Sequence, residues 1–262
     1  MILLLGGTKD SREIAERLLQ EGYPVVGTVT TLYGRKLLEQ IEKIKVYCSK
    51  LNESSFYALI DREKITMILD ATHPYATEIS KLAMEISKIR KIPYVRFERE
   101  SIQYKNVKEV KNAKEAAAFL KNTQGNIMLT TGSKNLESFV EKIERKRLYA
   151  RVLPIPEVIE KCSKLGMDAG HIIGMQGPFQ KQFNQALYRQ YNIQYMVTKE
   201  SGEVGGTLEK IQGALELGIK VLMIQRPPMD YQRVFHTIAE TINVIIEEEK
   251  HSGKGIVDCR TW

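Results

Sequence analysis

Residues 2–22 read ILLLGGTKDSREIAERLLQEG and determine the fold class of the chain. The apolar run Ile2–Leu5 is typical of a strand buried on both faces, and the pair Gly6-Gly7 ends it. Apolar residues then recur at helical spacing, and Gly22 stands where a C-cap glycine belongs. This strand, glycine turn and helix predict the first unit of an α/β fold.

The same alternation of short apolar runs and amphipathic helices continues along most of the chain. Further strands are predicted at Val25–Thr30, Lys45–Tyr47, Thr66–Asp70, Pro93–Phe97, Asn126–Thr130, Leu148–Leu153, His171–Ile173, Gln194–Thr198 and Lys220–Ile224, and a last helix at Arg233–Glu248. Strands separated by helices indicate βαβ units and parallel sheets. The polar segment Arg99–Val110 interrupts the pattern. We therefore predict two domains, residues 1–98 and 99–262.

The composition is that of an ordinary globular protein, with 43% hydrophobic and 27% charged residues among 262. No apolar run approaches the roughly 20 residues that span a bilayer, and the start lacks the basic leader of a signal peptide. The three cysteines Cys48, Cys162 and Cys259 lie far apart, without metal-ligand spacing. We expect a cytoplasmic protein with neither a membrane span, a disulfide scaffold nor a metal site.

The formal net charge of +7 predicts an anionic partner. The basic residues form no dense block, and no basic motif is interleaved with aromatic residues as in RNA-binding proteins. Nucleic-acid binding is therefore supported by charge alone. A polycarboxylate or a phosphorylated small molecule suits this distribution of charge better.

The first chemical motif is the turn LLGGTKDSR at residues 4–12. A glycine pair lets the backbone approach a ligand closely, and Thr8, Asp10 or Ser11 can cap the helix whose free amides favour a phosphate. The third glycine of a G-x-G-x-x-G fingerprint is absent. The turn alone fits either a nucleotide site or an ordinary glycine turn with an N-cap.

The second motif, VTTLYGRK at residues 29–36, follows the second predicted strand, where dinucleotide-binding folds contact the adenosine ribose. Hydroxyls and cations stand here, and the first acid is Glu39. A 2′-phosphate suits such residues better than a bare ribose does, so the motif favours NADPH over NADH. The alternative is a solvated basic helix start.

The third motif, LDATHPYATEI at residues 69–79, follows the strand that ends at Asp70. Ligands of open α/β folds bind at the carboxyl ends of strands. His73 and Tyr75 can donate protons or hydrogen bonds there, although a lone histidine in a loop also serves structural roles.

A fourth group of motifs lies in the second half of the chain, where each follows or ends a predicted strand. These are TTGSKN (130–135), YARVLP (149–154), GMQGPF (174–179), TKESGEVGG (198–206) and QRPP (225–228). They carry the cations Lys134, Arg151, Lys199 and Arg226. Around one cleft, four cations would suit a ligand with several carboxylates, whereas each alone is compatible with a solvated strand end.

Taken in order, LLLGGTKDSREIAERL, DATHPYA, TTGSKNL, GPF and TKESG–GG–EKIQGAL–LGIKVLMIQRP resemble the precorrin-6A reductase family of cobalamin biosynthesis, over nearly the whole chain. The resemblance implies two Rossmann-like domains, with mainly parallel sheets, that hold cofactor and substrate in the cleft between them. It implies NADPH-dependent reduction of the precorrin-6A macrocycle, or of its cobalt-containing equivalent, to the 6B form. These tetrapyrroles carry many carboxylates, in agreement with the basic excess.

The resemblance also implies a role for each motif. The pyrophosphate would be held by Gly6, Gly7, Thr8, Asp10 and Ser11. The adenosine end would contact Thr30, Thr31, Arg35 and Lys36. The nicotinamide would lie near Thr72, His73, Pro74 and Tyr75. The candidate catalytic proton donors are His73 and Tyr75, with water as the alternative. Substrate contacts are expected from Lys134, Arg151, Lys199, Glu200, Ser201 and Arg226.

Two other functions remain open at this stage. An NADP-linked oxidoreductase of a small anionic substrate, a sugar or an alcohol would have a Tyr-x-x-x-Lys pair on a helix, but the pairs Tyr104/Lys108 and Tyr195/Lys199 lie outside predicted helices. A non-enzymatic nucleotide-sensing module would explain the first domain but not the motifs of the second.

Overall fold

A computed structural model of the chain describes residues 1–200, 202 and 206–251. It divides into two compact units. Unit 1 contains Met1–Glu100 together with the described residues from Pro228 onward, and unit 2 contains Ser101–Pro227. Each unit is a six-stranded sheet whose paired strands all run parallel, with helices between the strands. The predicted α/β class with two Rossmann-like units is confirmed.

Unit 1 has the strand order of a dinucleotide-binding fold. Its strands are β1 (Ile2–Leu5), β2 (Val25–Val29), β3 (Lys45–Cys48), β4 (Met67–Asp70), β5 (Tyr94–Phe97) and β12 (Val234–Phe235). Its helices are α1 (Lys9–Gln20), α2 (Leu32–Leu38), α3 (Glu53–Glu63), α4 (Thr77–Arg90) and α10 (Ile238–His251). The sheet order is β12-β5-β4-β1-β2-β3. Successive strands are added on one side of β1 up to β3 and on its other side from β4 onward, so the order of the strands reverses between β1 and β4. Open α/β sheets bind their ligands at such a switch point.

The core of unit 1 lies on both faces of the sheet, as the near-continuous apolar strands predict. Along β1, Ile2 and Leu4 face the layer of α1 and α10, while Leu3 and Leu5 face the layer of α3 and α4. All residues of β1 are buried. Helices therefore cover both faces of the sheet, and ligands of such sheets bind at the carboxyl ends of the strands.

The C-terminal segment belongs to unit 1, which corrects the predicted second domain of residues 99–262. Strand β12 pairs with β5 at Arg96 and Phe97, and α10 buries Ile242 and Ile245 in the core beside α1. The last helix begins at Ile238 rather than at Arg233 because the intervening residues join the sheet. A strand of two residues is too short to show a period in the sequence, and its partner β5 lies far away along the chain.

Unit 2 reverses its strand order between β7 and β10. Its strands are β6 (Val107–Val110), β7 (Asn126–Leu129), β8 (Leu148–Val152), β9 (Ile172–Gly174), β10 (Ile193–Lys199) and β11 (Lys220–Ile224). Its helices are α5 (Ala113–Lys121), α6 (Leu136–Val140), α7 (Pro156–Lys164), α8 (Lys181–Gln190) and α9 (Thr207–Leu215). The sheet order is β6-β11-β10-β7-β8-β9. Unit 2 therefore has a switch point of its own.

Strand β6 lies in the segment for which the sequence predicted no regular element. It is an edge strand that pairs only with β11 among the described strands. Lys108 and Glu109 are exposed, which removes the apolar pattern of a buried strand.

The placement of α10 makes a stability prediction. Ile245→Ala, which truncates a fully buried side chain, is expected to lower the free energy of unfolding of unit 1 by about 2–5 kcal/mol. The control Ile89→Ala removes a side chain that is 58% exposed and is expected to cost about 0.5 kcal/mol or less. Urea unfolding of both variants measures the difference. Equal, small effects would contradict the assignment of α10 to the core.

Candidate active site

The glycine turn between β1 and α1 has the geometry of a phosphate-binding turn. Gly7 has φ of +120°, a conformation that favours glycine, and the space beside its Cα is open. Thr8 caps α1 by accepting a hydrogen bond from the Ser11 amide at 2.9 Å, and Ser11 Oγ accepts one from the Thr8 amide at 3.1 Å. The amides of Lys9 and Asp10 follow in the first helical turn, where no intrahelical acceptor exists. Such a helix start favours a bound anion.

Asp10 makes an ion pair that the sequence did not reveal. Its carboxylate accepts two hydrogen bonds from the Arg99 guanidinium, at 2.5 Å and 3.1 Å. The pair is electrically neutral and ties the first turn of α1 to the segment after β5. The predicted pyrophosphate contact of Asp10 is therefore limited to its backbone amide, because a carboxylate repels phosphate. Arg99 places a cation beside the turn.

The glycine turn and the DATHPYA loop meet at the switch point of unit 1. Thr8 Oγ1 donates a hydrogen bond to the carbonyl oxygen of Ala71 at 3.0 Å. The two residues belong to motifs that follow β1 and β4, which are neighbours in the sheet. The structure thus brings together two of the groups that the sequence predicted separately, at the position where this fold class binds dinucleotides.

A buried ion-pair network fixes the start of the DATHPYA loop at the end of β4. Asp70 and Arg96 are both fully buried, and Arg96 Nη1 lies 2.7 Å from Asp70 Oδ1. Asp70 also accepts hydrogen bonds from the Tyr94 hydroxyl at 2.7 Å and from the hydroxyl and amide of Thr72 at 2.7 Å and 3.0 Å. Arg96 Nη2 in turn contacts Glu98 at 2.6 Å. Buried charges are tolerated only when paired and hydrogen-bonded in this way.

Two tyrosines complete the surroundings of this network. Burial, together with the nearby charge of Asp70, raises the pKa of Tyr94 well above its ordinary value, so its hydroxyl stays protonated and donates to Asp70. The ring of Tyr231 lies 5.0 Å from the Arg96 guanidinium. Tyr231 comes from the C-terminal segment, so this segment takes part in holding the site. None of these partners carries a motif that the sequence alone would reveal.

His73 and Tyr75 lie side by side in the loop after β4. Their ring centroids are 5.4 Å apart, and the Tyr75 amide donates to His73 Nδ1 at 3.4 Å. His73 is exposed and Tyr75 is half-buried. Thr72 is buried by its bonds to Asp70 and Arg96, so it anchors the start of the loop rather than presenting a free hydroxyl.

The residues after β2 form a polar surface at the same edge of the sheet. Thr31 caps α2 by accepting from the Gly34 amide at 3.0 Å. Arg35 pairs with Glu39 at 2.6 Å across one turn of the helix. Thr30 and Lys36 are exposed. A 2′-phosphate bound here would meet the exposed ammonium of Lys36 and would compete with Glu39 for Arg35.

In unit 2, the predicted cations Lys134 and Lys199 lie at the switch point. Lys134 is in the 3-10 turn after β7, and Lys199 ends β10. Burial and, to a smaller extent, the positive charge of Lys134 together lower the pKa of Lys199 to about 8. Two cations that repel one another at the carboxyl edge of a sheet form a favourable position for an anion.

Glu200 and Arg226 form an ion pair with each other, within unit 2. Glu200 is buried, and its carboxylate also accepts hydrogen bonds from the amides of Gly202 at 2.9 Å and Ile102 at 3.3 Å. The pair therefore joins separate segments of the chain, and the charge of Arg226 is compensated. Ser201, the remaining predicted substrate contact, lies outside the described residues.

Arg151 lines a pocket of about 190 Å³ beside this edge. The walls come from the ends of β7 and β8, the segment before α8 and the start of α9, and include Thr130, Gly132, Phe179 and Lys210. Lys210 lies on a helix and follows no strand, so the search for cations at strand ends missed it.

The model of the family described as precorrin-6x reductase CbiJ/CobK matches residues 1–246. The chain belongs to this family. It is 41% identical to the cobalt-precorrin-6A reductase of Priestia megaterium, over 95% of this chain and 100% of that protein. It is 40% identical to the cobalt-precorrin-6A reductase of Methanocaldococcus jannaschii, over 93% of this chain and 97% of that protein. Membership of the CbiJ/CobK family makes the chain an oxidoreductase.

A solved structure described as CobK precorrin-6A reductase has the same fold. Its TM-score to this chain is 0.77, with 98% of each chain covered and 20% sequence identity. At that identity the match supports the two-unit fold and does not assign contacts to individual residues.

The positions of the two Tyr-x-x-x-Lys pairs disfavour the alternative function as an NADP-linked oxidoreductase of a small substrate. Tyr195 and Lys199 both lie on strand β10, where four residues span about 13 Å, too far for a paired catalytic function. Lys108 lies on β6 and Tyr104 precedes it, so neither Tyr-x-x-x-Lys pair is on a helix.

Metal-ligating side chains and long apolar helices would indicate other functions. No group of three or more His, Cys, Asp or Glu side chains in that part of the chain is placed to hold a metal ion. None of the helices described combines the length and apolar composition of a bilayer-spanning segment.

The buried network predicts a large stability effect. Arg96→Met leaves the Asp70 carboxylate buried without its cation and is expected to lower the free energy of unfolding by about 3–5 kcal/mol. Arg17→Met removes a surface pair with Glu13 and is the control, with an expected change of about 1 kcal/mol or less. Denaturant unfolding measures both. A small effect of Arg96→Met would show that the network does not support unit 1.

Proposed function

We propose that this chain reduces cobalt-precorrin-6A with hydride from NADPH and forms the 6B macrocycle. The carrying observation is the contact between Thr8 and Ala71, which joins the glycine turn to the DATHPYA loop at the switch point of unit 1. The cobalt-containing form is favoured because the Priestia megaterium and Methanocaldococcus jannaschii relatives, at 40% identity or more, carry that name. We place the activity in the cytoplasm, because the free thiols of Cys48 and Cys162 suit a reducing compartment.

Unit 1 fits the nicotinamide cofactor. The open space beside Gly7 and the amides at the start of α1 suit a pyrophosphate, because a glycine lets a ligand approach the backbone closely. After β2, Thr30 and Lys36 are exposed where NAD-specific folds place an acid. These features support NADPH as the cofactor, which supplies the hydride when bound.

The substrate contacts belong to unit 2 in this proposal. Lys134, Lys199 and Arg151 would bind carboxylates of the tetrapyrrole and so fix which carbon faces the hydride donor. The Glu200–Arg226 pair would hold the end of β10, where Lys199 lies, because the two charges of the pair already match each other. We infer a positioning role for this pair rather than a direct contact.

The reaction adds a hydride to one ring carbon and a proton to a neighbouring one. His73 and Tyr75 are the candidate donors of that proton because they lie together at the carboxyl edge of β4. At neutral pH an imidazolium donates a proton more readily than a phenol does. His73 is therefore the preferred donor, with Tyr75 beside it.

Cofactor preference tests the proposal for unit 1. The chain is expected to bind NADPH more tightly than NADH in a fluorescence titration. Lys36→Met is expected to weaken NADPH binding about tenfold, because it removes a charge-assisted contact to the 2′-phosphate, and to leave NADH binding unchanged. Lys88→Met, an exposed change on α4, is the control and should alter neither affinity. Equal affinity for both cofactors would contradict the proposal.

Turnover tests the proton donor. His73→Ala is expected to lower kcat about 100-fold, the usual contribution of a positioned general acid, with NADPH affinity little changed. Tyr75→Phe is expected to lower kcat less than about tenfold, because the ring remains beside His73. The assay follows the macrocycle spectrum under anaerobic conditions. Intact turnover in His73→Ala would remove His73 as the essential acid and leave Tyr75 or water.

A further inference from the structure

The pocket beside Arg151 is a small, charged cavity inside unit 2. We propose that it is a subsite for one carboxylate arm of the substrate, held between Arg151 and Lys210, an inference that rests on the proposed function. Its volume of about 190 Å³ lies below the roughly 300–1,000 Å³ typical of a site for a whole drug-sized ligand. The size suits an acid side arm and excludes the macrocycle.

Arg151 is held in place by a neutral partner. It is buried on β8, and its Nη1 donates to Asn184 Oδ1 at 2.6 Å. Asn184 is itself fully buried and is fixed because its Nδ2 donates to the carbonyl oxygens of Phe179 and Gln180 at 3.3 Å and 3.0 Å. No described acidic side chain forms an ion pair with Arg151. A buried, oriented cation without a counter-charge is suited to an anionic ligand.

Lys210 brings a second cation to the same pocket. It lies on the first turns of α9, and its ammonium has no hydrogen bond or ion pair to a described residue. Burial and, to a smaller extent, the positive charge of Arg151 together lower its pKa to about 7, and Glu209 opposes them only in part. Among the described residues, Arg151 and the ammonium form of Lys210 face the one carboxylate of Glu209, so these three groups together are net positive. A carboxylate between Arg151 and Lys210 would relieve their mutual repulsion.

The start of α9 adds to the attraction for an anion. Gly206 precedes the helix and lines the pocket, so the amino end of a nine-residue helix faces the cavity. Glu209 Oε2 lies near Gly206, at 3.5 Å from the position of a Cβ there, so it shares this field with a ligand.

An aromatic surface stands beside the cations. The ring of Phe179 lies 5.2 Å from the Arg151 guanidinium and stacks on Phe183, with ring centroids 5.0 Å apart. Phe183 is 43% exposed. An apolar surface next to a pair of cations is complementary to a conjugated macrocycle that carries acid arms. It fits a free inorganic anion less well, so we assign the pocket to an arm of the tetrapyrrole.

The titration of Lys210 gives the subsite a pH signature. The groups that face it are Arg151 on β8, Glu209 on its own helix and Tyr188 on α8. Burial raises the pKa of Tyr188 to about 12, so its phenol stays neutral in the working range. A bound carboxylate favours the ammonium form of Lys210. Binding should therefore take up a proton above about pH 7, and the KM for the macrocycle should rise as the pH rises.

The test compares Lys210→Met and Lys210→Arg in the full chain. Lys210→Met is expected to raise the KM for cobalt-precorrin-6A about tenfold or more, with kcat changed less than about threefold and NADPH affinity unchanged. Lys210→Arg keeps the charge, so it should restore the KM and flatten its rise between about pH 7 and 9. Lys199, with a pKa of about 8, also contributes to the pH dependence of the KM, but equally in the natural chain and in Lys210→Arg. Lys114→Met, an exposed change on α5, is the matched control.

A second measurement separates this inference from the proposed function. Uroporphyrin, an octacarboxylate porphyrin, serves as a binding probe that needs no turnover. Weaker binding of the probe to Lys210→Met than to the natural chain and to Lys210→Arg supports the subsite even where reduction fails. An unchanged KM together with unchanged probe binding in a folded Lys210→Met protein overturns the subsite while leaving the reductase proposal standing. Thermal unfolding verifies that each variant is folded.

Discussion

The buried pair of Asp70 and Arg96 is the interaction on which unit 1 depends. A charge at the carboxyl end of a central strand is costly to bury, and here Asp70 is stabilised by Arg96 and by hydrogen bonds from Thr72 and Tyr94. The result is a fixed start for the loop that carries His73 and a fixed contact between that loop and the glycine turn. Through Tyr231 the same pair also engages the C-terminal segment, which closes the sheet with β12. The C-terminal segment of unit 1 therefore contributes both to its sheet and to the surroundings of its candidate site.

The two units repeat one architectural principle with different chemistry. Each sheet is parallel and reverses its strand order once, between β1 and β4 in unit 1 and between β7 and β10 in unit 2. At the first reversal stand glycines, hydroxyls and helix amides, which suit a phosphate that must approach the backbone. At the second stand the partly buried Lys199 and the exposed Lys134, two cations that suit carboxylates. Two cations, Lys134 and Lys199, are thereby brought together at the carboxyl edge of the second sheet.

Sequence patterns predicted those features that follow from local chemistry. The glycine turn and the DATHPYA loop each follow an apolar strand, so parallel geometry alone placed them on one edge. The pairing of Asp10 with Arg99, of Glu200 with Arg226, and of β12 with β5 depends on residues far apart in the chain, which no local pattern reports. Lys210 was missed because it enters its pocket from a helix, and β6 because an edge strand exposes its polar residues.

Direct transfer of hydrogen from the cofactor to the macrocycle is the central claim. The sharpest measurement uses NADPH carrying deuterium at both hydrogens of the nicotinamide C4, with cobalt-precorrin-6A under anaerobic conditions, and mass spectrometry of the product. We expect one deuterium in the reduced macrocycle for each NADPH oxidised. Reduced macrocycle without deuterium, or no NADPH oxidation in the presence of the macrocycle, would contradict it.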